Sequence, residues 1–152
     1  MLTIMIVTKS IKPVKPRVFT KHDISEFFGI PPTRVTNWEA GRTLKLKPSI
    51  LEASGRGTRN LYSVGDVYKT GLAILLLAVG YSSNVVQRAV DAAPGHIEHA
   101  KWMFIEYPSG SQEPRIRWSR KPPLMRADLA HGHIVNLANI RKSVDELMAN
   151  RR

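Results

Sequence analysis

Between residues 20 and 41 the sequence marks out two short helices joined by a tight glycine turn. Thr20 can cap the first helix, and Asp23 stands at the third position of a short capping box. Gly29 is placed to end this helix, since glycine tolerates the left-handed conformation that closes helices. A proline pair then suits the first turn of a second helix, which Gly41 ends. The chain is therefore constrained to an early pair of short helices.

The second predicted helix, residues 31–40, has a mixed face. Val35 and Trp38 recur at i and i+3 and are expected to point inward. The residues left outward are polar or basic: Thr33, Arg34, Thr36 and Asn37. Two short helices, the second with outward polar and basic groups, have the pattern of a helix-turn-helix.

A basic, glycine-containing stretch follows the helix pair. Residues 42–61 contain Gly55 and Gly57, and they are predicted to form short strands around a basic loop. Its cations are Arg42, Lys45, Lys47, Arg56 and Arg59, and Glu52 is the acid among them. Ser63 then caps an apolar core helix that Gly80 closes, and Ser82 or Ser83 begins a fourth helix that stops at Pro94-Gly95.

After Gly95 the periodicity changes from helical to strand-like. Residues 102–107 are apolar and aromatic, residues 115–120 alternate, and a turn-rich segment separates them, which predicts a hairpin. A third strand is expected at residues 133–137. Asn139 is placed to cap a last helix with apolar residues on one side.

Charge and cysteine content narrow the classes of function. The chain has 23 Lys and Arg against 12 Asp and Glu, a net charge of +11, which favours a polyanionic partner such as nucleic acid. It contains no cysteine, which excludes disulfides, thiolate metal sites and cysteine nucleophiles. Its longest apolar stretch, residues 72–79, is shorter than the ~20 residues of a membrane span. We expect a cytoplasmic, nucleoid-associated protein.

Residues 18–93 resemble the MerR family of DNA-binding proteins. The second predicted helix, Gly29-Ile-Pro-Pro-Thr-Arg-Val-Thr-Asn-Trp-Glu39 with Gly41, is similar to the family's second helix. Gly55-Arg-Gly-Thr-Arg-Asn-Leu-Tyr-Ser63 with Asp66-Val67 resembles the family's wing and its exit, and Val79-Gly-Tyr-Ser82 the end of the following helix. The order and spacing of these pieces carry the resemblance.

The resemblance over residues 18–93, together with the charge and strand patterns outside that range, predicts an α+β fold with three parts. These are a basic N-terminal arm (1–17), a winged helix-turn-helix domain (18–95) and a small α/β module (96–152) made of a β-hairpin, a strand and a C-terminal helix. Helix 31–40 would enter the major groove of double-stranded DNA, and the wing, residues 55–61, would lie on the backbone. The implied contacts are Thr33, Arg34, Thr36, Asn37, Arg42, Lys45, Lys47, Arg56 and Arg59. Trp38 and Tyr62 are expected to pack in the core.

Two departures from the family limit what is carried over. The family dimerises through a long coiled-coil helix, and no heptad run follows Gly95. Asn37 also stands where the family often has Tyr, so we infer neither an effector nor a direction of regulation. We expect a transcription regulator that forms a homodimer or meets a protein partner through residues 96–152. A phage packaging or partition-type DNA adaptor, and a winged helix that binds an acidic protein, remain open alternatives.

Other constellations give weaker signals. His96 and His99, and His131 and His133 near Asp128, have loose metal-ligand spacing, and we predict no metal or cofactor. No nucleophile elbow or paired carboxylates are visible, so no enzyme is predicted. The strand at residues 115–120 alternates Arg with Ile and Trp, which favours solvated arginines over a core face and leaves open a second nucleic-acid contact.

Overall fold

The chain folds into five helices and a three-stranded antiparallel sheet within the part that is described. The computed structural model describes residues 17–52, 54–122 and 129–150, except for the side chains of residues 129–131. The elements are α1 (Lys21–Phe28), α2 (Pro32–Glu39), α3 (Val64–Val79), α4 (Ser83–Ala92), β1 (Trp102–Pro108), β2 (Arg115–Ser119), β3 (Leu129–Asn136) and α5 (Leu137–Ala149). The predicted α+β class is confirmed.

Local signals in the sequence account for the ends of the first and third helices. The Thr20 and Ser63 side chains each accept a hydrogen bond from the third helical residue, Asp23 and Asp66, whose carboxylates bond back to the cap. Each capping box satisfies backbone N–H groups that a helix start leaves free. Gly29 ends α1 at φ 60°, in the left-handed region that favours glycine.

The sheet has the order β2-β1-β3, so β1 is central and β3 lies at an edge. In the antiparallel register Phe104 of β1 lies between Arg117 and Ile134. The alternate β1 residues Met103 and Ile105 are fully buried and belong to the hydrophobic core. One face of the sheet therefore packs against the helices.

One hydrophobic core includes residues from both sides of Gly95. Leu72 and Leu76 of α3 share it with Met103 and with Val144 of α5. Helices α3 and α5 approach closely at Gly71, where an added Cβ would lie 3.0 Å from the Val144 side chain. The division near Gly95 into two domains stays a prediction.

Two predicted boundaries differ from the structure. The last helix begins at Leu137 and is capped by Asn136, whose side chain accepts a bond from the Asn139 N–H, so the predicted cap at Asn139 is wrong. The earlier start is favoured because Leu137 is completely buried and its N–H donates to the Lys101 carbonyl at 2.9 Å. The third strand accordingly spans Leu129–Asn136 in place of residues 133–137.

Residues 42–61 form fewer strand contacts than predicted. In the described part of this stretch, pairing is limited to an isolated bridge of Leu51 with Leu61, and just after the stretch Tyr62 forms a second bridge with Phe19. Most of its residues are exposed, so few side chains are available to stabilise a longer ladder. Of the predicted basic arm, Arg17 is exposed and residues 1–16 lie outside the described residues. No helix in the described part of the chain has the length and apolar character that crossing a bilayer requires.

Candidate nucleic-acid interface

Helix α2 presents a polar face to solvent. Its apolar residues Val35 and Trp38 are only 3% and 4% exposed and pack in the core. Thr33, Arg34 and Thr36 are exposed, and Asn37 is half-buried. Because positions i, i+3 and i+4 share one side of a helix, Thr33, Thr36 and Asn37 form a stripe opposite the buried side, with Arg34 at its flank. The four residues predicted from the sequence therefore lie on the solvent side of α2.

The C-terminal end of α2 is fixed to the chain that follows it. The Leu46 N–H donates to the Trp38 carbonyl at 3.1 Å, and the Tyr62 hydroxyl donates to the Glu39 carboxylate. Burial, with the neighbouring Glu39 carboxylate second, raises the pKa of Tyr62 far above its ordinary value, so the hydroxyl stays a donor. Trp38 and Tyr62 are both buried, which confirms their predicted place in the core.

Polar side chains outside α2 contact its outward face. Arg42 Nη1 lies 3.4 Å from Asn37 Oδ1, and Lys21 Nζ donates to Thr36 Oγ1 at 3.1 Å. The Thr36 hydroxyl donates in turn to the Pro32 carbonyl at 3.1 Å. Lys21 thus adds a cation that the sequence analysis missed, because it precedes Thr36 by 15 residues and no local spacing links them.

The segment that carries Lys45 and Lys47 is anchored by α4. Gln87 Oε1 accepts from the Lys45 N–H at 2.7 Å, and Gln87 Nε2 donates to the Lys45 carbonyl at 3.2 Å. Leu44 and Leu46, which alternate with the lysines, are buried, whereas Lys45 and Lys47 are exposed. This alternation turns both lysines to solvent from a fixed backbone.

The segment from Leu51 to Leu61, here the basic loop, carries Arg56 and Arg59. Its base is closed by reciprocal backbone hydrogen bonds between Leu51 and Leu61 at 2.9 and 3.3 Å. At its tip Thr58 Oγ1 accepts from the backbone N–H groups of Ser54 and Gly55 at 2.9 and 3.0 Å. Both arginines are exposed.

Asp66 ties the chain just before the basic loop to the start of α3. Its carboxylate accepts from the Ser49 N–H at 2.9 Å and from the Ser49 hydroxyl at 2.6 Å, as well as from the Ser63 N–H. Burial alone raises the pKa of Asp66, but hydrogen bonds from Ser49, Ser63 and Lys69 outweigh it and lower the pKa below its ordinary value. A charged carboxylate is therefore part of the loop's anchor.

The basic loop lies beside both helices. A cleft of about 350 Å³ is lined by Lys21 and His22 of α1, Glu39 of α2 and Arg59 of the loop. The structure thus brings Arg59 close to the two helices, while Arg56 lies nearer the tip of the loop.

The cations of this surface differ in whether a carboxylate lies within ion-pair distance of them. Lys47 Nζ lies 3.4 Å from Glu52 Oε1, with both side chains about half exposed. Within the described residues, no carboxylate lies within ion-pair distance of Arg34, Lys45, Arg56 or Arg59. Residues 33–59 contain six Lys or Arg against two Glu, so the surface is strongly positive.

Strand β2 and the adjacent Arg120 agree only in part with the predicted pattern of core Ile and Trp side chains and solvated arginines. Ile116 and Trp118 pack against the core, as predicted. Arg115 and Arg120 are exposed, but Arg117 is half-buried, with Nη2 2.8 Å from Glu106 Oε1 and its guanidinium 4.1 Å from the Phe104 ring centroid. The prediction that all these arginines are solvated is therefore wrong for Arg117, because Glu106 is buried on the same face and needs a cation.

The described histidine side chains are not grouped as metal ligands would be. His96 stacks on the Trp118 ring at 5.6 Å between centroids. His133 contacts the Tyr81 hydroxyl, while Asp128 and the His131 side chain lie outside the described residues. In the ranges that the structure describes, no three His, Asp or Glu side chains come together as metal ligands would.

No protein-family model matches this chain, and no curated protein matches it at a significant level.

Proposed function

We propose that this protein binds double-stranded DNA sequence-specifically and acts as a transcription regulator, with α1, α2 and the basic loop serving as a winged helix-turn-helix of the MerR type. The observation that carries the proposal is the orientation of α2. Val35 and Trp38 pack in the core, and its polar side faces solvent next to a cationic loop. A helix held in this way fits the width of the major groove.

Base reading falls to the outward residues of α2. Arg34 has the fork geometry that pairs with guanine O6 and N7, and Asn37 has the amide that pairs with adenine N6 and N7. The Arg42 contact with Asn37 Oδ1 orients that amide in the free protein. Thr33 and Thr36 supply hydroxyls at the same face, where they suit bases or nearby phosphates.

Phosphate binding falls to the cations around α2. Arg42, Lys45 and Lys47 come from the anchored segment, and Arg56 and Arg59 from the basic loop. Such contacts set the register of a protein on DNA and carry no sequence information of their own. Phosphate contacts of this kind are identified experimentally because they make the DNA-binding constant fall as the salt concentration rises.

Selection of bound duplexes from a random pool tests the proposal, followed by titration of the full chain against the selected and a scrambled duplex. Arg34→Ala and Asn37→Ala are expected to cost about 1–3 kcal/mol each on the selected duplex and to relax the preference at one base position. Arg56→Ala is expected to weaken both duplexes alike and to reduce the slope of log K against log salt by about 0.9.

The matched control is Lys142→Ala, which removes one exposed cation from α5. It is expected to leave the base preference and the salt slope unchanged. Equal binding of every duplex by the unmodified chain would refute the sequence-specific regulator. If neither Arg34→Ala nor Asn37→Ala changes the affinity for DNA, the alternative of a winged helix that binds an acidic protein is favoured.

A second candidate is an adaptor that holds DNA and builds an oligomer, as in phage packaging or partition. It is favoured by the elements after Gly95, which in the described residues are a three-stranded sheet and the 13-residue helix α5, not a long coiled-coil helix. The mass of the protein in solution separates the candidates, because a regulator with paired half-sites is a dimer and an adaptor forms a ring or a larger particle.

A further inference from the structure

We propose that a second copy of this chain docks in an apolar groove between α3, α5 and β3, and that the protein is a symmetric dimer through this face. The groove has a volume of about 600 Å³, and Phe28 at the end of α1 also lines it. It uses none of the residues assigned to DNA, so the dimer and the DNA-binding function can fail independently.

Large apolar side chains are left in solvent along this groove. Val79 is 63% exposed, Ile134 53%, Leu147 41% and Leu75 39%, and all four line it. They come from three elements, α3, β3 and α5, and meet in one place. Contiguous exposed apolar surface of this kind marks an interaction site more often than scattered single residues do.

The scarcity of charged side chains in the groove indicates which kind of partner it binds. The chain carries 23 Lys and Arg and 12 Asp and Glu, yet the described residues that line the groove include no Lys, Arg, Asp or Glu and a single histidine, His133. Nucleic acid and acidic proteins are recognised by cations, which this lining lacks. Two copies that each carry +11 repel one another, and a face without Lys or Arg is where they meet with least repulsion. A second copy therefore fits this surface better than an acidic partner.

The edge of the sheet adjoins the groove and suits a twofold contact. β3 is an edge strand, and its residues Gly132, His133 and Ile134 are exposed. An edge strand offers its backbone N–H and C=O groups for pairing with another strand. Antiparallel pairing of β3 with the same strand of a second copy places the two grooves against each other in a self-complementary interface.

The test is the mass of the full chain in solution, measured by sedimentation at several concentrations. We expect twice the 17.1 kDa of one chain. Val79→Asp is expected to weaken the dimer by roughly a hundredfold, because it buries a charge in each copy. The matched control, Ala78→Asp, adds the same charge at the neighbouring exposed residue of α3, outside the lining, and is expected to keep the dimer.

Cross-linking keeps the test decisive if Val79→Asp unfolds the chain. The sequence has no cysteine, so Ile134→Cys introduces a single thiol on β3. Mild oxidation is expected to join two Ile134→Cys chains, whereas Gln112→Cys, at an exposed position before β2, is expected to stay unlinked.

Three results would overturn the proposal. One is a chain that stays monomeric at high concentration. Another is a ring or larger particle, which favours the adaptor. The third is a Val79→Cys thiol that resists alkylation in a monomer while Gln112→Cys reacts, which would show that the chain itself covers the groove.

Discussion

Replacing Glu52 by Gln is expected to tighten binding to DNA. Glu52 Oε1 lies 3.4 Å from Lys47 Nζ, so the carboxylate competes with phosphate for this lysine. If Lys47 lies on the DNA backbone, the pair must open on binding, and the carboxylate left beside it repels the phosphate. Glutamine keeps the size of the side chain and removes the charge.

The size of the effect follows from the exposure of the pair. An exposed ion pair contributes about 0.2–1 kcal/mol, and opening it costs up to about fivefold in affinity. A cation that gains a phosphate contributes about 0.9 to the slope of log K against log salt, or about eightfold at ~0.1 M salt. We expect Glu52→Gln to tighten binding by about three- to tenfold at that salt and to steepen the slope by up to about 0.9.

Fluorescence titration of a labelled duplex over a range of salt measures both quantities. Glu113→Gln is the matched control, because Glu113 is an exposed acid paired at 3.8 Å with Arg88, outside the proposed DNA surface. Both variants raise the net charge equally. If both variants tighten DNA binding equally, the effect comes from net charge alone. If Glu52→Gln does not tighten DNA binding, the proposal that Lys47 contacts DNA is refuted.

Two further predictions concern the anchors of this surface, and a third concerns the contact between α3 and α5. The pKa of Asp66 is lowered in the folded state, so the stability that its carboxylate contributes is present above pH 3.8 and is lost as the pH falls through the folded pKa. In Asp66→Asn, the free energy of unfolding measured in urea is expected to depend less steeply on pH in this range. Gln87→Ala is expected to speed hydrogen exchange at the Lys45 amide roughly fivefold, since it removes about 1 kcal/mol of hydrogen bonding. Tyr68→Phe breaks the 2.6 Å bond to Asp145 and is expected to lower the free energy of unfolding by about 1 kcal/mol in denaturant titration.

Features that depend on neighbouring residues were predictable from the sequence. The capping boxes at Thr20 and Ser63 and the glycine end of α1 follow from side chains within a few residues of the backbone they satisfy. The inward position of Val35 and Trp38 follows from helical periodicity. Where two local signals compete, the choice is tertiary: Asn136 and Asn139 can both cap α5, and the burial of Leu137 favours the first.

Contacts that join distant parts of the chain were not predictable. Lys45 and Gln87 are 42 residues apart, and Tyr62 reaches Glu39 across 23. Nothing in the spacing of these residues links them, because the fold of the intervening helices decides where they meet. The ion pair of Glu106 with Arg117 is similar, since it depends on the register of β1 against β2 and on the burial of Glu106.

The bond pair between Gln87 and Lys45 has an evolutionary consequence. The amide of Gln87 imitates a peptide group, and it gives a stretch without a strand neighbour the partner it lacks. Substitutions in α4 will therefore shift the spacing of the lysines without touching them. Variants that change how tightly DNA is held and how steeply binding depends on salt should therefore arise in α4 as well as at the lysines, among side chains that never meet a phosphate.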